Sequence, residues 1–466
     1  MLFITTDDLD WSLMGFMGHK AGITPNLDRL ASASHRIVNN RAASPICQPS
    51  RQAMMTGMIP HRSGGIGFVP VDGQINTLTT ALKGNGYFTA GIHKLQHMQP
   101  PTAFPWDFMR GGSNGNFLTW DDRNPVLIAE HVRDAIGKAK DENKPFFINC
   151  NITDPHRPFY GSSEAEPQDS QQQGPYRITR DFGPDDVVIP PHLEDLPDIR
   201  EELLQYYRSS FRADMAIGNI LSALKESGAD GDTLILFLSD HGMPLPFAKG
   251  TCHDYGTRTP ALISWPGMKE PGTFSFQASN IDVLPTILDI LGVPQDFEVD
   301  GRSWLPVIEG AADKVRDYNF TYMDHLYDGR ARPARAIHDD RFVLIFAPWA
   351  NGEREMGDVD YHKGLTYPAL VNAAVSDPAI ADRVRQCTMG IPLALYDLTA
   401  DPGQRVNLIH QPAYRERTER MQALLRRHMQ ETGDPQTDNF ERLLRGERPV
   451  VSEDRGRYRH YNWIAG

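Results

Sequence analysis

Long apolar runs are missing from this sequence, and no window resembles a membrane-spanning helix, so a membrane partner is not expected. Cysteine is scarce. Cys47, Cys150, Cys252 and Cys387 lie far apart and form no C-x-x-C pair. That spacing suggests neither a disulfide scaffold nor a zinc site. Cys150, within FFINCNIT, reads as a buried strand residue, and Cys252 and Cys387 read as structural. Positive charge is in the minority, with 47 Lys and Arg against 60 Asp and Glu and a net charge of −13. Nucleic acid is therefore not an expected partner. An anionic substrate stays open, because charge local to a site can oppose the global sign. No internal repeat and no low-complexity tract is present. No signal peptide precedes LFIT, which begins at residue 2. The chain reads as cytoplasmic as it stands, or as periplasmic or secreted if an export signal has been removed.

What is present is enough for a large core. The 466 residues are 40% hydrophobic and 23% charged, which fits a large α/β unit with a smaller companion. LFITTDD, GYFTAGI, PFFINCNI and DTLILFLSDHG read as strands. PNLDRLASAS, LIAEHVRDAIGKAKDE and LLQYYRSSFRADMAIGNILSALKESG read as helices, the last ending at Gly228 as a helix cap. This alternation predicts a largely parallel sheet with helices on both faces, and such folds bind ligands at the carboxyl ends of strands. Residues 161–200, rich in Pro, Asp, Gln and Ser, read as a long surface excursion able to lie over the site. Beyond about residue 325 the texture changes. RAIHDDRFVLIFA suggests paired strands, ALYDLTADPGQRVNL a strand, a turn and a helix start, and YRERTERMQALLRRHMQETG a charged helix. The expected division is a catalytic domain over 1–325 and a smaller α+β domain over 326–466.

Chemistry concentrates at the strand ends. Asp7 and Asp8 are adjacent carboxylates that repel unless something cationic holds them. Alone, the pair reads as a solvated turn or a cap. Asp240-His241 repeats the arrangement at a second strand end and turns the reading toward one divalent cation. Oxygen dominance favours calcium or magnesium, and the imidazole leaves manganese open. Cys47 stands ahead of Pro49 and Ser50, both good helix-start residues. A helix beginning directly behind it would set Cys47 in a field that favours an anion, with Arg51 adding charge one turn in. The competing reading is an inert buried thiol.

C-Q-P-S-R at 47–51, followed by T-G at 56–57, resembles the signature of type I sulfatases. In that family the cysteine is oxidised to formylglycine, an aldehyde hydrated at rest. FITTDDLDW, LSDHGMP, GTRTPALISWPG and LYDLTADPGQRVNL are similar to further segments of the family. PWDF at 105–108, DPHRPF at 154–159 and LSDHGMPLPFAKG at 238–250 resemble its N-sulfoglucosamine sulfohydrolase, or heparan sulfamidase, branch. The resemblance implies an alkaline-phosphatase/sulfatase-like fold. It implies metal binding by Asp7, Asp8, Asp240 and His241, with the modified residue 47 completing the shell. Arg51 would orient the aldehyde, and Lys94 and His97 would stand beside it. His156 would protonate the leaving group, and Lys249 would grip the sulfate.

The implied reaction has one hydroxyl of the hydrated aldehyde attacking sulfur. The second hydroxyl then provides the exit that a plain serine would lack. Implied partners are a sulfated saccharide in a glycosaminoglycan-degrading role and a formylglycine-generating enzyme during maturation. Two departures stand out: His241 occupies a position where many sulfatases have Asn, and two residues rather than one separate Lys94 from His97. His253 and Asp254 lie near Lys249 without an assigned role, and Arg332, Arg335 and His338 lie in a stretch long enough to reach back toward the substrate, with no binding role assigned. Two other readings are a phosphonate or phosphodiester hydrolase on the same scaffold and an inactive sulfated-glycan-binding protein.

Overall fold

A computed structural model describes residues 1–111, 120–164, 173–357 and 359–451. Its main sheet has eight strands in the order Phe108–Arg110, Phe88–Ile92, Phe146–Pro155, Leu2–Asp7, Ile235–Ser239, Ala261–Ser264, His35–Ile37 and Thr273–Phe274. The first five run parallel, and Ala261–Ser264 is antiparallel to both of its neighbours. The central strand Leu2–Asp7 is buried along its whole length, as a strand covered on both faces must be. Leu2 and Ile4 join one core with the helices Pro25–Ser32, Pro125–Asp141 and Pro197–Glu226. Met1 and Phe3 point the other way, into a core with Leu78, Leu82, Leu284 and Ile287. The period-two alternation of a strand is what divides them.

Pro197–Glu226 ends as expected: Ser227 caps it and Gly228 follows in the left-handed region at φ 69°, which glycine reaches without a Cβ clash. A second sheet of four antiparallel strands follows, Asn319–His325, Ala331–His338, Phe342–Phe346 and Leu393–Asp397. Its opening strand begins ahead of residue 326. RVNL starts no helix. The chain turns there, held by Asp401 on the backbone N–H groups of Arg405 and Val406, and the helix begins at Arg415.

The described part of 161–200 packs on the long helix rather than standing free, through Ile178, Phe182, Val187 and Leu193 against Tyr206, Tyr207 and Phe211. Residues 165–172 of that excursion and the end of the chain from 452 lie outside the described residues. Among the described residues, no helix is long and apolar enough to cross a membrane.

Candidate active site

Four neighbouring parallel strands bring their carboxyl ends to one edge of the main sheet. Leu2–Asp7 ends in Asp7 and Asp8, and Ile235–Ser239 leads directly into Asp240 and His241. Phe88–Ile92 is followed by His93 and Lys94, and Phe146–Pro155 carries Asn151 and leads into His156. A register shift between Thr6 and Asp7 moves the partner of the central strand from Ile152 to Pro155, which re-aims the Asp7 carboxylate. Asp8, His93, Lys94 and Phe247 all have φ between 52° and 70°. Non-glycine residues in the left-handed region cost energy and gather where surroundings over-determine the backbone.

The helix Cys47–Thr56 aims its N-terminus at this edge. It begins at Cys47 itself, not behind it, so Pro49 falls inside the first turn. There the missing proline N–H costs nothing, because the first N–H groups of a helix have no intrahelical partner. The cap residue Ile46 offers no side-chain bond. Ser50 Oγ donates to the Asp240 carbonyl at 2.5 Å, and Asn280 Nδ2 donates to Ser50 Oγ at 2.9 Å, so the helix is pinned to the strand end by its own first turn.

Cys47 Sγ lies 3.5 Å from Asp7 Oδ1 and 3.3 Å from His241 Nε2. Asp7, Asp8, Cys47, Arg51, Asp240 and His241 are each no more than 2% exposed. Burial and the Asp7 carboxylate push the Cys47 thiol well above its ordinary pKa, the opposite of what a thiolate nucleophile needs. Burial acts on Asp7 in the same direction, but Lys94, His156 and Arg51 overcome it and hold Asp7 well below the usual carboxylate range. Asp8 is pushed well above that range, by burial first, then by Asp7 and Asp240.

The donor set fits a cation. Asp7, Cys47, Asp240 and His241 present ligand atoms within 4.8 Å of one another, and Asp7, Asp8 and His156 form a second such group. His241 Nδ1 lies 3.0 Å from the Gly242 carbonyl. A carbonyl only accepts, so Nδ1 carries the proton and Nε2 presents a lone pair. That lone pair faces Asp8 Oδ1 at 3.4 Å and Asp240 Oδ1 at 3.7 Å. Acceptors facing acceptors repel unless a cation stands between them. Asp8 Oδ1 makes no well-aligned hydrogen bond, although Lys249 Nζ is 2.9 Å away. A buried carboxylate oxygen left in that state is the mark of a group with an outside partner. Adding a divalent cation at about 100 times its Kd is expected to stabilise the fold by ~2.7 kcal/mol, read as a rise in melting temperature that a chelator reverses.

The cationic residues expected from the sequence converge here. Lys94 Nζ is 2.5 Å from Asp7 Oδ2. Lys249 Nζ lies 2.9 Å from Asp8 Oδ1 and 2.7 Å from Asp360 Oδ2. Its loop is tied to the loop ahead of Cys47 by Gly250 N donating to the Pro45 carbonyl at 2.7 Å. His97 is buried edge-on to Phe68, and its Nδ1 makes no hydrogen bond. Burial, then Lys94 and Arg51, hold its pKa well below the ordinary imidazole value. His156 Nδ1 is 2.6 Å from the Arg157 carbonyl, and its Nε2 is 3.9 Å from Asp360 Oδ2.

Other residues of interest serve the scaffold. Asp254 pairs with Arg41 at 2.6 Å, and His253 Nδ1 bonds Thr251 Oγ1 at 3.1 Å. Arg335 is buried between Asp324 at 2.8 Å and Asp434 at 2.5 Å, and does not reach the site. His338 Nε2 bonds Thr321 Oγ1 at 3.3 Å, and Arg332 Nε donates to the Glu355 carbonyl at 2.8 Å.

Three residues of the site escaped sequence reading. Asn151 Oδ1 and Thr5 Oγ1 each accept from Arg51 Nη1 at 2.7 Å, and they are register partners on adjacent strands. Polar residues inside two buried strands were the signal for them. Asp360, from beyond the second sheet's third strand, carried none.

The sulfatase family model matches residues 1–293, and the model for the N-sulphoglucosamine sulphohydrolase C-terminal region matches residues 240–380. N-sulphoglucosamine sulphohydrolase of Homo sapiens is 29% identical over 453 residues, covering 90% of this chain and 88% of that protein. A solved structure in complex with its substrate D-glucosamine-2-N,6-O-disulfate superposes with a TM-score of 0.68 at 19% identity, over 94% of this chain and 99% of that one. Phosphonate monoester hydrolase from Silicibacter pomeroyi superposes with a TM-score of 0.64 at 19% identity, over 92% and 95%. The two structural likenesses carry the fold, and the family model, spanning more than half of the sequence, carries the kinship: the chain belongs to the sulfatase family.

Proposed function

We propose that this protein hydrolyses a sulfate ester or N-sulfonate on a sugar, with N-sulfoglucosamine as the preferred substrate type. The observation that carries the reading is Cys47 Sγ within 3.5 Å of both Asp7 and His241, at a helix start ringed by Arg51, Lys94 and Lys249. Asp7, Asp8, Asp240 and His241 would hold one divalent cation, with residue 47 adjoining it. Their oxygen-rich set favours calcium over magnesium or manganese. A cation there supplies positive charge that polarises the sulfonyl oxygens. Formylglycine, made from Cys47 by a formylglycine-generating enzyme, supplies a hydroxyl nucleophile when hydrated.

The chain's own residues do the rest. Arg51 fixes the Asp7 and Asp240 carboxylates and keeps the helix start in register with them. Lys94 and Lys249 bring fixed positive charge to an anionic group that must leave water, and they cost no reorganisation as charge spreads in the transition state. His156 has its Nδ1 proton committed to the Arg157 carbonyl, so Nε2 is the atom that would deliver a proton to the departing oxygen or nitrogen. His97 is kept neutral by burial and by the charges of Lys94 and Arg51. We also assign 1–325 as the catalytic unit and 326–466 as the smaller unit, with Asp360 as its contribution to the site.

Mass spectrometry of the tryptic peptide AASPICQPSR, residues 42–51, from protein made with its maturation enzyme is expected to find the aldehyde at position 47. A thiol in a fully active enzyme would sink the reading. A second reading, a phosphonate or phosphodiester hydrolase, draws on His241 standing where many sulfatases have Asn. Comparing turnover of N-sulfoglucosamine, an aryl sulfate and an aryl phosphodiester separates the two. The expected order has the sulfated sugar first and the phosphodiester last.

A further inference from the structure

Asp360 is an odd residue to find beside a sulfate site. Its carboxylate lies 2.7 Å from Lys249 Nζ and 3.9 Å from His156 Nε2. Lys249, His156 and the exposed Lys363 hold it ionised, well below the usual carboxylate range, against burial. A fixed negative charge repels an incoming sulfate or sulfamate. On electrostatics alone, an anion-binding pocket should exclude it. It is also not needed to keep Lys249 in place, because Asp8 already contacts that ammonium at 2.9 Å.

Its position suggests another partner. Asp7, Asp8, Cys47 and Asp240 are sealed, whereas the side chains of His156 and Asp360 are 17% and 16% exposed. These two form a more open rim beside the sealed carboxylates, with His156 close to Asp7 and Asp8 and Asp360 reached through Lys249. His156 marks where a leaving atom would lie, so Asp360 stands between the sulfate-gripping Lys249 and the leaving group. Its second oxygen, Oδ1, is touched by Lys363 at 3.3 Å, a side chain that is 48% exposed and easily displaced into water. An ionised carboxylate accepts hydrogen bonds and donates none. A ligand that satisfies it must therefore bring O–H or N–H groups.

Resting on the sulfatase reading above, we infer that Asp360 determines specificity, by accepting hydrogen bonds from hydroxyl or amino groups of the leaving group, and so selects a saccharide over an aryl or alkyl sulfate. The carboxylate's repulsion of sulfate is then part of the selection. An anion lacking donors meets the penalty without the compensation, and a sugar offsets it. Charge-assisted hydrogen bonds of this type discriminate, because a substrate without the donor displaces water and Lys363 from Oδ1 and puts nothing in their place.

The test uses the matured, metal-loaded enzyme and Asp360→Asn, with Asp360→Ala as a second variant should the first fail to fold. Two quantities are measured, kcat/KM for N-sulfoglucosamine and the inhibition constant of inorganic sulfate. Loss of the accepting charge is expected to lower kcat/KM for the sugar by about 10- to 100-fold. Inorganic sulfate, freed of a repelling neighbour, is expected to inhibit as well as before or more tightly, by up to about tenfold. The sugar loses and inorganic sulfate does not.

A residue that merely holds Lys249 in place would weaken both together, and that outcome overturns the inference. So does an unchanged kcat/KM for the sugar. A wild-type enzyme that carries the aldehyde and metal yet hydrolyses no sulfated substrate removes the sulfatase reading and this inference with it. That result is recognised before any substitution is made.

Discussion

Cys47→Ala is expected to leave a folded protein whose turnover of the sulfated sugar falls by at least about a thousandfold, as loss of a nucleophile does. The side chain is small, and the helix Cys47–Thr56 is anchored by Ser50 and Arg51 rather than by the thiol. Melting temperature should therefore change little. The site keeps its remaining machinery, so cation binding followed by thermal shift should persist. A variant that melts normally, binds the cation and still turns over at more than a tenth of the wild-type rate would show that residue 47 is not the nucleophile.

Arg51→Ala is expected to damage both stability and activity. The guanidinium is 1% exposed and serves five groups. Nη1 donates to Thr5 Oγ1 and Asn151 Oδ1, each at 2.7 Å. Nε and Nη2 reach Asp240 Oδ2 at 3.0 and 2.9 Å, and Nη2 reaches Asp7 Oδ2 at 3.3 Å and the Thr6 carbonyl at 3.4 Å. Removing one partner of a buried ion pair leaves charge uncompensated and costs about 3–5 kcal/mol. Here two carboxylates lose their common partner, so the upper part of that range is expected in denaturant unfolding of the cation-free protein. A bound cation should recover part of the loss, because it faces the same carboxylates. Arg51→Lys retains the charge but not the planar fork, and should fall between wild type and alanine. Equal stability of the alanine variant and wild type without metal would mean that the carboxylates are held by other groups.

Much of the site was legible because its chemistry follows local rules. An acid directly after an apolar run lies at a strand end, and Asp7, Asp8, Asp240 and His241 were located in that way. Proline and serine after Cys47 marked a helix start, and only its first residue was misjudged by one position. Both readings rest on short stretches whose conformation neighbouring residues decide. Lys94, His97, His156 and Lys249 were identified through a family resemblance; in the structure Lys94 contacts Asp7, Lys249 contacts Asp8, His156 lies near Asp360 and His97 packs against Phe68. Arg335 and Asp254 show the opposite case. Each is a charged residue near a promising motif, yet each is buried in an ion pair within the scaffold, with Asp434 and Arg41 respectively. Charge and proximity in sequence cannot distinguish those uses.

The sequence by itself determined the alternation of strands and helices, the strand-end acids and the presence of a helix next to Cys47. Each of these depends on residue type and spacing within about ten or twenty positions, where propensity and periodicity operate. Only the tertiary structure decided the strand order that puts four carboxyl ends side by side. It alone paired Thr5 with Asn151 beneath Arg51, and it alone carried Asp360 from the C-terminal region to Lys249 and His156. Such contacts join residues far apart along the chain. They are fixed by how whole elements bury their apolar faces against one another, and no local pattern records that choice.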